Sequence, residues 1–283
     1  MKMSSRSFVR KQLIGLAAVG TMLGAGSAQA DLIDGIVDAW TVGVMGQFDC
    51  GTASFEAGSG SSSCAAQTMS WGSTTTTSGL DISNLAPAVV NTNGPAVANT
   101  SVTHRNNVLP GGSTSLDSVV LQSTLSLTPF SPPAPGLPPQ TLDFLIEFQE
   151  TPNGGSGGVC ADGGPTGVGI NSNGCADIFV ISQNALNFAF DYPLLNGNPG
   201  TQTYFISFFE QTGGLNPLPT AACLAATGSN APCLGFRTAE GQDTTFQFAA
   251  VITTEPVSVP VPGTLAMLGL GLLGLGAVRR KKK

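Results

Sequence analysis

Residues 141–149 read Thr-Leu-Asp-Phe-Leu-Ile-Glu-Phe-Gln, and this stretch decides the class of fold. Leu142, Phe144, Ile146 and Phe148 occupy every second position, and polar residues occupy most of the positions between them. A period of two places the four apolar side chains on one face of a strand. The stretch therefore predicts a β-strand with one face towards a core.

The same alternation recurs in four other segments and predicts an all-β protein. The alternating residues are Val119, Leu121, Leu125 and Leu127; Leu186, Phe188 and Phe190; Tyr204, Ile206 and Phe208; and Phe246, Phe248, Ala250 and Ile252. Residues 176–182 and 40–48 are less regular strand candidates, and no amphipathic segment of helical period exceeds two turns after residue 38. Short strands with one apolar face each, separated by turn residues, indicate an antiparallel β-sandwich.

Long connections rich in Gly, Pro and Ser separate the predicted strands. Residues 131–140 (SPPAPGLPPQ) favour an extended polyproline geometry. Residues 151–174 form a Gly/Asn-rich loop that contains Cys160 and ends just before Cys175, and residues 91–99 form another polar insert. No internal repeat of fixed period is present, which argues against a solenoid or a propeller.

The first 30 residues have the layout of a Sec signal peptide. Four basic residues lie among the first eleven, an apolar stretch follows at 13–26, and Ser-Ala-Gln-Ala at 27–30 offers an A-x-A cleavage site. We therefore predict a signal helix that the Sec translocon receives and that is absent from the mature protein.

The C-terminal end combines a proline motif, a short apolar run and a basic tail. The motif at 259–264 contains Pro260, Pro262 and Gly263, and five Arg and Lys residues end the chain. As a helix, the 15 residues of 264–278 would span about 22 Å at ~1.5 Å per residue. Because this is short for a permanent span, and basic flanks stay cytoplasmic, we predict a transient transmembrane anchor.

The segment between the two ends, residues 31–255, is strongly acidic. It contains all 17 acidic residues of the chain but only Arg105 and Arg237 of the 11 basic ones, so its net charge is −15 against −6 for the whole chain. Such a surface keeps an exported protein soluble and repels nucleic acid phosphates. The charge therefore argues against nucleic-acid binding.

The six cysteines fall in sequential pairs, and each pair flanks a loop rich in Gly, Ser, Asn or Ala. The pairs are Cys50 with Cys64, Cys160 with Cys175, and Cys223 with Cys233. Zinc binding is the rival interpretation, but the chain has no C-x-x-C pair and one histidine. Nearest-neighbour disulfides, each worth about 3 kcal/mol in the chain-entropy model, are the more economical prediction for an exported protein.

The one histidine, His104, lies after a candidate strand and beside Thr103 and Asn106. It could be half of a Ser–His or Cys–His relay, but no G-x-S-x-G context supplies a nucleophile. We expect its imidazole to bond backbone groups where a strand meets a loop, with Asn106 capping the turn. No catalytic residue is predicted.

Two loop segments could supply oxygen ligands for Ca²⁺. These are Asp162-Gly-Gly and residues 171–177. Neither matches an EF-hand loop, and Asn/Asp/Gly-rich loops usually form turns. The sequence therefore predicts no metal and no cofactor, with Ca²⁺ as the alternative.

Residues 259–283 resemble the PEP-CTERM sorting signal, which the membrane protease exosortase reads and processes in bacteria that export matrix polysaccharide. Val261 stands where the usual Glu lies between the prolines, which leaves the cleavage point open. Thr103, His104 and Asn106 are similar to the motif of the THxN family of PEP-CTERM proteins. Trp71-Gly72 lies before this motif, and residues 144–148, 150–153 and 235–240 lie after it, which is the order of that family. The resemblance implies a surface or matrix protein and carries no catalytic residues.

Three segments are thus predicted: a Sec signal peptide (1–30), an exported β-sandwich (31–255) and a sorting signal (256–283). The resemblance implies export in a Gram-negative bacterium through an inner-membrane-anchored intermediate to the cell surface or extracellular matrix. We expect a non-enzymatic structural or adhesive role in biofilm, with extracellular polysaccharide as a possible partner. The alternatives are a carbohydrate-binding module and a secreted hydrolase that uses His104.

Overall fold

A computed structural model describes residues 35–181, 186–197, 199–213 and 215–257. The signal peptide predicted at 1–30, and the sorting signal from residue 258 onwards, lie outside these ranges. Within them, no helix is both long and apolar enough to cross a membrane. The described chain is built from antiparallel strands, which confirms the predicted fold class.

Seven strands form the first sheet. They are β1 (Ala39–Glu56), β5 (Ala88–Asn91), β7 (Ser115–Ser131), β8 (Gln140–Gln149), β9 (Asp177–Ile181), β12 (Asn216–Pro217) and β13 (Leu234–Thr238). Their order across the sheet is β12-β13-β9-β8-β7-β1-β5, and every pair is antiparallel.

Seven more strands form the second sheet, which packs against the first. They are β2 (Ser61–Ala65), β3 (Thr68–Gly72), β4 (Thr77–Asn84), β6 (Val97–Arg105), β10 (Phe188–Pro193), β11 (Thr201–Glu210) and β14 (Asp243–Thr253). Their order is β10-β11-β14-β6-β4-β3-β2, again with antiparallel pairing throughout.

The alternation of β8 is confirmed by its burial. Phe144, Ile146 and Phe148 are buried, whereas Leu145 points outwards. One core cluster joins the two sheets through residues of β1, β7, β8, β9 and β13 on one side and of β3, β4, β6 and β14 on the other. Removing this apolar surface from water is the main force that holds the two sheets together.

A second core cluster is centred on Trp40. The rings of Phe190, Tyr192 and Tyr204 meet its indole edge-on, with centroids 5.1–5.2 Å away. The hydroxyl of Tyr192 donates to the Pro135 carbonyl at 2.6 Å, which fastens the proline-rich 131–140 crossing to this core. Tyr192 therefore anchors the predicted extended crossing to the core.

Strand β9 is buried on both faces, which explains its irregular sequence pattern. Phe179 points between the sheets, whereas Ile178 and Val180 pack on Ala222 of the single described α-helix, α1 (Thr220–Thr227). A strand covered on both sides needs apolar residues at consecutive positions, so period-two alternation disappears.

All three predicted disulfides are present. The Cα atoms lie 5.6 Å apart in Cys50–Cys64, 5.3 Å apart in Cys160–Cys175 and 5.7 Å apart in Cys223–Cys233. The first connects β1 with β2 and therefore links the two sheets. The other two close the 151–176 loop and the segment between α1 and β13.

Several strands were not predicted because they contain few large apolar residues. Strand β2 is Ser-Ser-Ser-Cys-Ala, and β6 is Val-Ala-Asn-Thr-Ser-Val-Thr-His-Arg. The predicted polar insert at 91–99 contains the start of β6, and His104 lies inside β6 instead of after a strand. Pairing of β6 with β4 on one side and β14 on the other supplies the order that its composition does not indicate.

The first and last described strands meet at one end of the sandwich. The amide of Thr92 donates to the carbonyl of Asp38 at 2.8 Å, and the amide of Asn93 donates to the carbonyl of Ile252 at 2.7 Å. The chain therefore enters and leaves the domain beside the same turn.

Candidate functional site

Three carboxyl groups meet at the opposite end of the sandwich. Glu150, Asp177 and Glu240 each place one oxygen within 4.8 Å of the others, and we refer to them as the acid cluster. Asp177 is 0% exposed and Glu240 is 1% exposed, whereas Glu150 is partly buried. Because carboxyl groups are rarely buried without a partner, this arrangement is the most unusual one in the domain.

The antiparallel register of the first sheet creates the acid cluster. Strand β8 ends at Gln149, its neighbour β9 begins at Asp177, and the next strand β13 ends at Thr238. Gln149 pairs with Ile178, and Thr238 pairs with Asp177. Residues just beyond these three strand ends therefore come together, although more than sixty positions separate Asp177 from Glu240.

Some oxygens of the acid cluster accept hydrogen bonds, and others have no donor. The indole Nε1 of Trp71 donates to Glu150 Oε2 at 3.1 Å, and the amide of Thr151 donates to Asp177 Oδ1 at 2.9 Å. Asp177 Oδ2 and both carboxyl oxygens of Glu240 are buried and find no hydrogen-bond partner among the described residues. The protein thus leaves three acceptor atoms unsatisfied at one place.

Two asparagine side chains border the acid cluster with their oxygens free. Asn106 Nδ2 donates to the carbonyl of Ala239, the residue before Glu240, at 3.2 Å. Asn153 Nδ2 donates to the carbonyl of Leu109 at 3.1 Å. Since the nitrogens are engaged, Oδ1 of each amide remains buried and unpartnered.

Gly174 shows how closely Asn153 and Glu240 approach each other. A methyl group on its Cα would lie 2.9 Å from Glu240 Cγ and 3.3 Å from Asn153 Oδ1. Gly174 also has a φ of +136°, which side-chain-bearing residues seldom adopt. This glycine therefore preserves the space beside the acid cluster.

His104 lies in an aromatic box next to the acid cluster and is not one of its members. It is fully buried, stacks on Trp71 at 5.8 Å and meets Phe148 and Phe179 edge-on. Its Nδ1 is hydrogen-bonded to Thr238 Oγ1 at 2.9 Å, so its partner is a hydroxyl and not the expected backbone group. Burial, with a smaller effect of the Arg105 charge, lowers the pKa of His104 to about 3, so the imidazole is neutral at pH 7.

Within residues 31–255, no basic side chain is left to neutralise the acid cluster. The only Lys or Arg residues of 31–255 are Arg105, which pairs with Asp81, and Arg237, which pairs with Asp162. Burial raises the pKa of Glu150 to about 7, and burial together with the Glu150 charge raises the pKa of Glu240 to about 8. The same causes, burial first, raise the pKa of Asp177 well above its ordinary value. The three groups must therefore retain protons or bind a cation.

The two segments considered for Ca²⁺ have different outcomes. Asp162 is buried, but its carboxylate accepts hydrogen bonds from the Gly164 amide, Asn171 Nδ2 and Arg237. These donors and the Arg237 charge hold the pKa of Asp162 below its ordinary value although burial acts in the opposite direction. Asp162 is therefore already satisfied, and within 171–177 only Asp177 belongs to the acid cluster.

The residues of the THxN-like motif point in two directions. Thr103 faces outwards and shares a hydrogen bond with Thr245 Oγ1 at 2.8 Å. His104 and Asn106 are buried, at 0% and 1% exposure. Sequence reasoning did not assign a role to Glu150, Asn153 or Glu240, although the segments that resemble the THxN family contain all three. Their position within these segments was the signal in the sequence that could have identified them.

Burial of the aromatic residues and of His104 bears on the two functional alternatives. Trp40 and Trp71 are both 0% exposed, whereas a sugar-stacking platform needs exposed rings. The hydroxyl nearest to His104 is that of Thr238, which is also fully buried. Neither a tryptophan platform nor a histidine accessible to substrate is therefore present in the described domain.

A cavity of about 300 Å³ also lies between the sheets. Its lining is mainly apolar and includes Val44, Leu121, Phe144 and Phe248. The side chain of Asn99 also lines the cavity, and neither its Nδ2 nor its Oδ1 has a hydrogen-bond partner among the described residues. Because binding sites usually combine volume with convergent polar groups, the acid cluster is the stronger candidate.

The fold and the disulfides define the class of the protein, a cross-linked β-sandwich made for an oxidising compartment. Residues 258–281 match the family model of the PEP-CTERM protein-sorting motif. The chain therefore carries a PEP-CTERM sorting signal, and the motif implies export, a membrane-anchored intermediate and processing by exosortase. Pro260, Pro262 and Gly263 lie within the matched range.

The comparison with curated proteins gives no match to this chain. The family-model match covers the sorting motif alone. Membership of the THxN family accordingly stays a prediction.

Proposed function

We propose that the exported domain is a non-enzymatic structural or adhesive protein of the cell surface or extracellular matrix, in contact with exported polysaccharide. One observation carries the proposal: His104, Trp40 and Trp71 are all fully buried. The only imidazole and the two largest rings of the chain thus serve the core. None of these three side chains is accessible to a substrate or a sugar. The sorting motif, in turn, directs the domain out of the cell.

The covalent and electrostatic properties of the domain support this role. Three disulfides close loops of 10 to 15 residues, which restricts unfolding where no chaperone can help. A charge of −15 over 31–255 keeps the domain soluble at high local concentration and lets divalent cations bridge it to acidic polymers.

Cell fractionation tests the proposal in the producing bacterium. We expect the full chain in the surface or matrix fraction, and a chain truncated after residue 257 in the periplasm or the medium. Deleting the gene should weaken the cohesion of the biofilm, and the truncated chain should not restore it. Absence of the full chain from the matrix, combined with unchanged cohesion after deletion, would refute the proposal.

A further inference from the structure

We propose that the acid cluster, together with Asn106 Oδ1 and Asn153 Oδ1, binds one Ca²⁺ ion. The inference concerns the folded domain alone and does not depend on the role proposed in the matrix. One carboxyl oxygen from each of Glu150, Asp177 and Glu240 lies within 4.8 Å of the other two.

The unsatisfied atoms identify the chemistry of the missing partner. Among the described residues, five buried oxygens in and beside the acid cluster lack a hydrogen-bond partner: Asp177 Oδ2, Glu240 Oε1 and Oε2, Asn106 Oδ1 and Asn153 Oδ1. The neighbouring His104 Nε2 lacks one as well. Buried polar atoms are almost always satisfied in native proteins, so five at one place require a common explanation. All five are acceptors, and a cation satisfies several acceptors at once.

Hydrogen bonds fix the orientation of both asparagine side chains. Asn106 Nδ2 is bonded to the carbonyl beside Glu240, and Asn153 Nδ2 to the carbonyl of Leu109. Each bond turns the amide so that its oxygen is the free end. Asn106 is 1% exposed, so its oxygen cannot find bulk water.

The lack of compensating positive charge also indicates a bound cation. Three carboxylates in contact repel one another, and the only two basic side chains of 31–255 neutralise Asp81 and Asp162. A divalent ion would compensate most of this charge.

The donor set selects Ca²⁺ among the divalent ions. It consists of carboxylate and amide oxygens, the ligands of hard cations, and the nearby Cys160 and Cys175 are joined in a disulfide. Mg²⁺ usually retains several waters in a near-ideal octahedron, whereas Ca²⁺ accepts six to eight oxygen ligands, from protein and water, in irregular geometry. Zn²⁺ favours nitrogen and sulfur, and His104 is not a member of the cluster.

Access for the ion is available on the side of Glu150, the one partly exposed acid of the three. Its second oxygen accepts the indole hydrogen of Trp71 at 3.1 Å. Binding at Glu150 must therefore change the electric field on that indole. Trp71 is a built-in reporter of the site.

The test uses the mature protein with its disulfides intact, carrying Trp40→Phe so that Trp71 is the only tryptophan. After treatment with EDTA, CaCl₂ is titrated at pH 8 and followed by calorimetry and by Trp71 fluorescence. We expect saturable binding of one ion and a higher melting temperature. Mg²⁺ should bind at least tenfold more weakly, and Zn²⁺ should not compete.

Two variants test the ligands, and one serves as a control. Glu240→Gln and Asp177→Asn remove one charge each while keeping shape, and the Asn oxygen can still accept from the Thr151 amide. Both should lower the Ca²⁺ affinity at least tenfold. Asp143→Asn removes a charge at an exposed position of β8 and should leave the affinity unchanged.

The result that would overturn the proposal is equally specific. It is the absence of a heat and fluorescence response at millimolar Ca²⁺, the weak limit for extracellular sites. Equal binding by the parent and by a folded Glu240→Gln variant would also overturn it. Either result leaves the fractionation of the full chain unaffected, so the two proposals fail separately.

Discussion

The indole nitrogen of Trp71 donates a hydrogen bond to Glu150 Oε2 across the two sheets, at 3.1 Å. Trp71 belongs to β3 of the second sheet, and Glu150 follows β8 of the first. Burial raises the pKa of Glu150, and this hydrogen bond lowers it. A single polar contact therefore connects the packing of the sandwich with the charge of the acid cluster.

Replacing Trp71 with Phe should cost stability in a pH-dependent way. The substitution removes a donor to a carboxylate, and such bonds contribute about 1.5–3 kcal/mol. We expect a larger loss in the free energy of unfolding at pH 8 than at pH 5, because Glu150 is charged only at the higher pH. Urea denaturation at the two pH values measures it.

Trp40→Phe is the matched control for this experiment. Trp40 is equally buried, but its Nε1 has no hydrogen-bond partner among the described residues. Its substitution should cost a similar packing energy at both pH values. A pH-independent loss for Trp71→Phe would show that the bond to Glu150 does not matter.

In the presence of a chelator, the domain should lose stability as pH rises. The pKa values of Glu150 and Glu240 are about 7 and about 8 in the folded domain, against ordinary values of 4.5. The folded state therefore binds more protons than the unfolded state between these limits, so stability falls from about pH 4.5 to pH 8. Glu240→Gln should flatten the fall.

Saturating Ca²⁺ should oppose this fall, since the ion binds the deprotonated acids. Melting temperatures measured from pH 5 to pH 8.5, with EDTA and with Ca²⁺, give the comparison. A chelated protein that is most stable at pH 8 would contradict the raised pKa values.

The fold could be predicted most clearly where side-chain burial alternates. Strand β8 showed the pattern because Phe144, Ile146 and Phe148 face the core while one face stays outside. Strand β6 did not, because its pairing on both edges stabilises a segment in which only Val97 and Val102 are large aliphatic residues. Backbone pairing of this kind leaves little trace in composition.

Removing the Cys160–Cys175 disulfide should affect both stability and the acid cluster. The double substitution to Ser should cost about 3 kcal/mol, as the chain-entropy model predicts for a loop of this size. The freed 151–176 loop carries Thr151 and Asn153, so Ca²⁺ should lose most of its stabilising effect. Chemical denaturation with and without Ca²⁺ measures both quantities.

The Cys50–Cys64 disulfide provides the control, because its sequence separation is 14 against 15. Its removal should cost a similar amount and leave the response to Ca²⁺ intact. Equal loss of the Ca²⁺ response in both double variants would show that the 151–176 loop has no specific role in Ca²⁺ binding.

Arg237→Gln should destabilise the domain far more than Arg105→Gln. Asp162, the partner of Arg237, has a fully buried side chain, whereas Asp81, the partner of Arg105, is 36% exposed. Removing the partner of a buried carboxylate costs at most the roughly 3–5 kcal/mol of a fully buried pair, since Arg237 is itself 32% exposed, while an exposed pair contributes about 0–1 kcal/mol. Urea denaturation at pH 7 should separate the two variants, and equal losses would show that Asp162 is solvated after substitution.

The acid cluster could not be predicted from sequence in the same way as the disulfides. Cys160 and Cys175 are near neighbours along the chain, so their spacing alone indicated the bond. Glu150, Asp177 and Glu240 meet only because β8, β9 and β13 are adjacent in a particular register. Such long-range pairing has no local signature.

The shared turn at Thr92 and Asn93 lies at the opposite end of strand β14 from the acid cluster. Strand β14 runs from beside His104, where Thr244 pairs with it, to Ile252 at that turn, about 26 Å at ~3.3 Å per residue. Beyond Thr253 the described chain stays near this turn, because Val257 is hydrogen-bonded to the side chain of Asn187. The end of the domain that bears the carboxylates is therefore the one farther from the described C-terminal end of the chain.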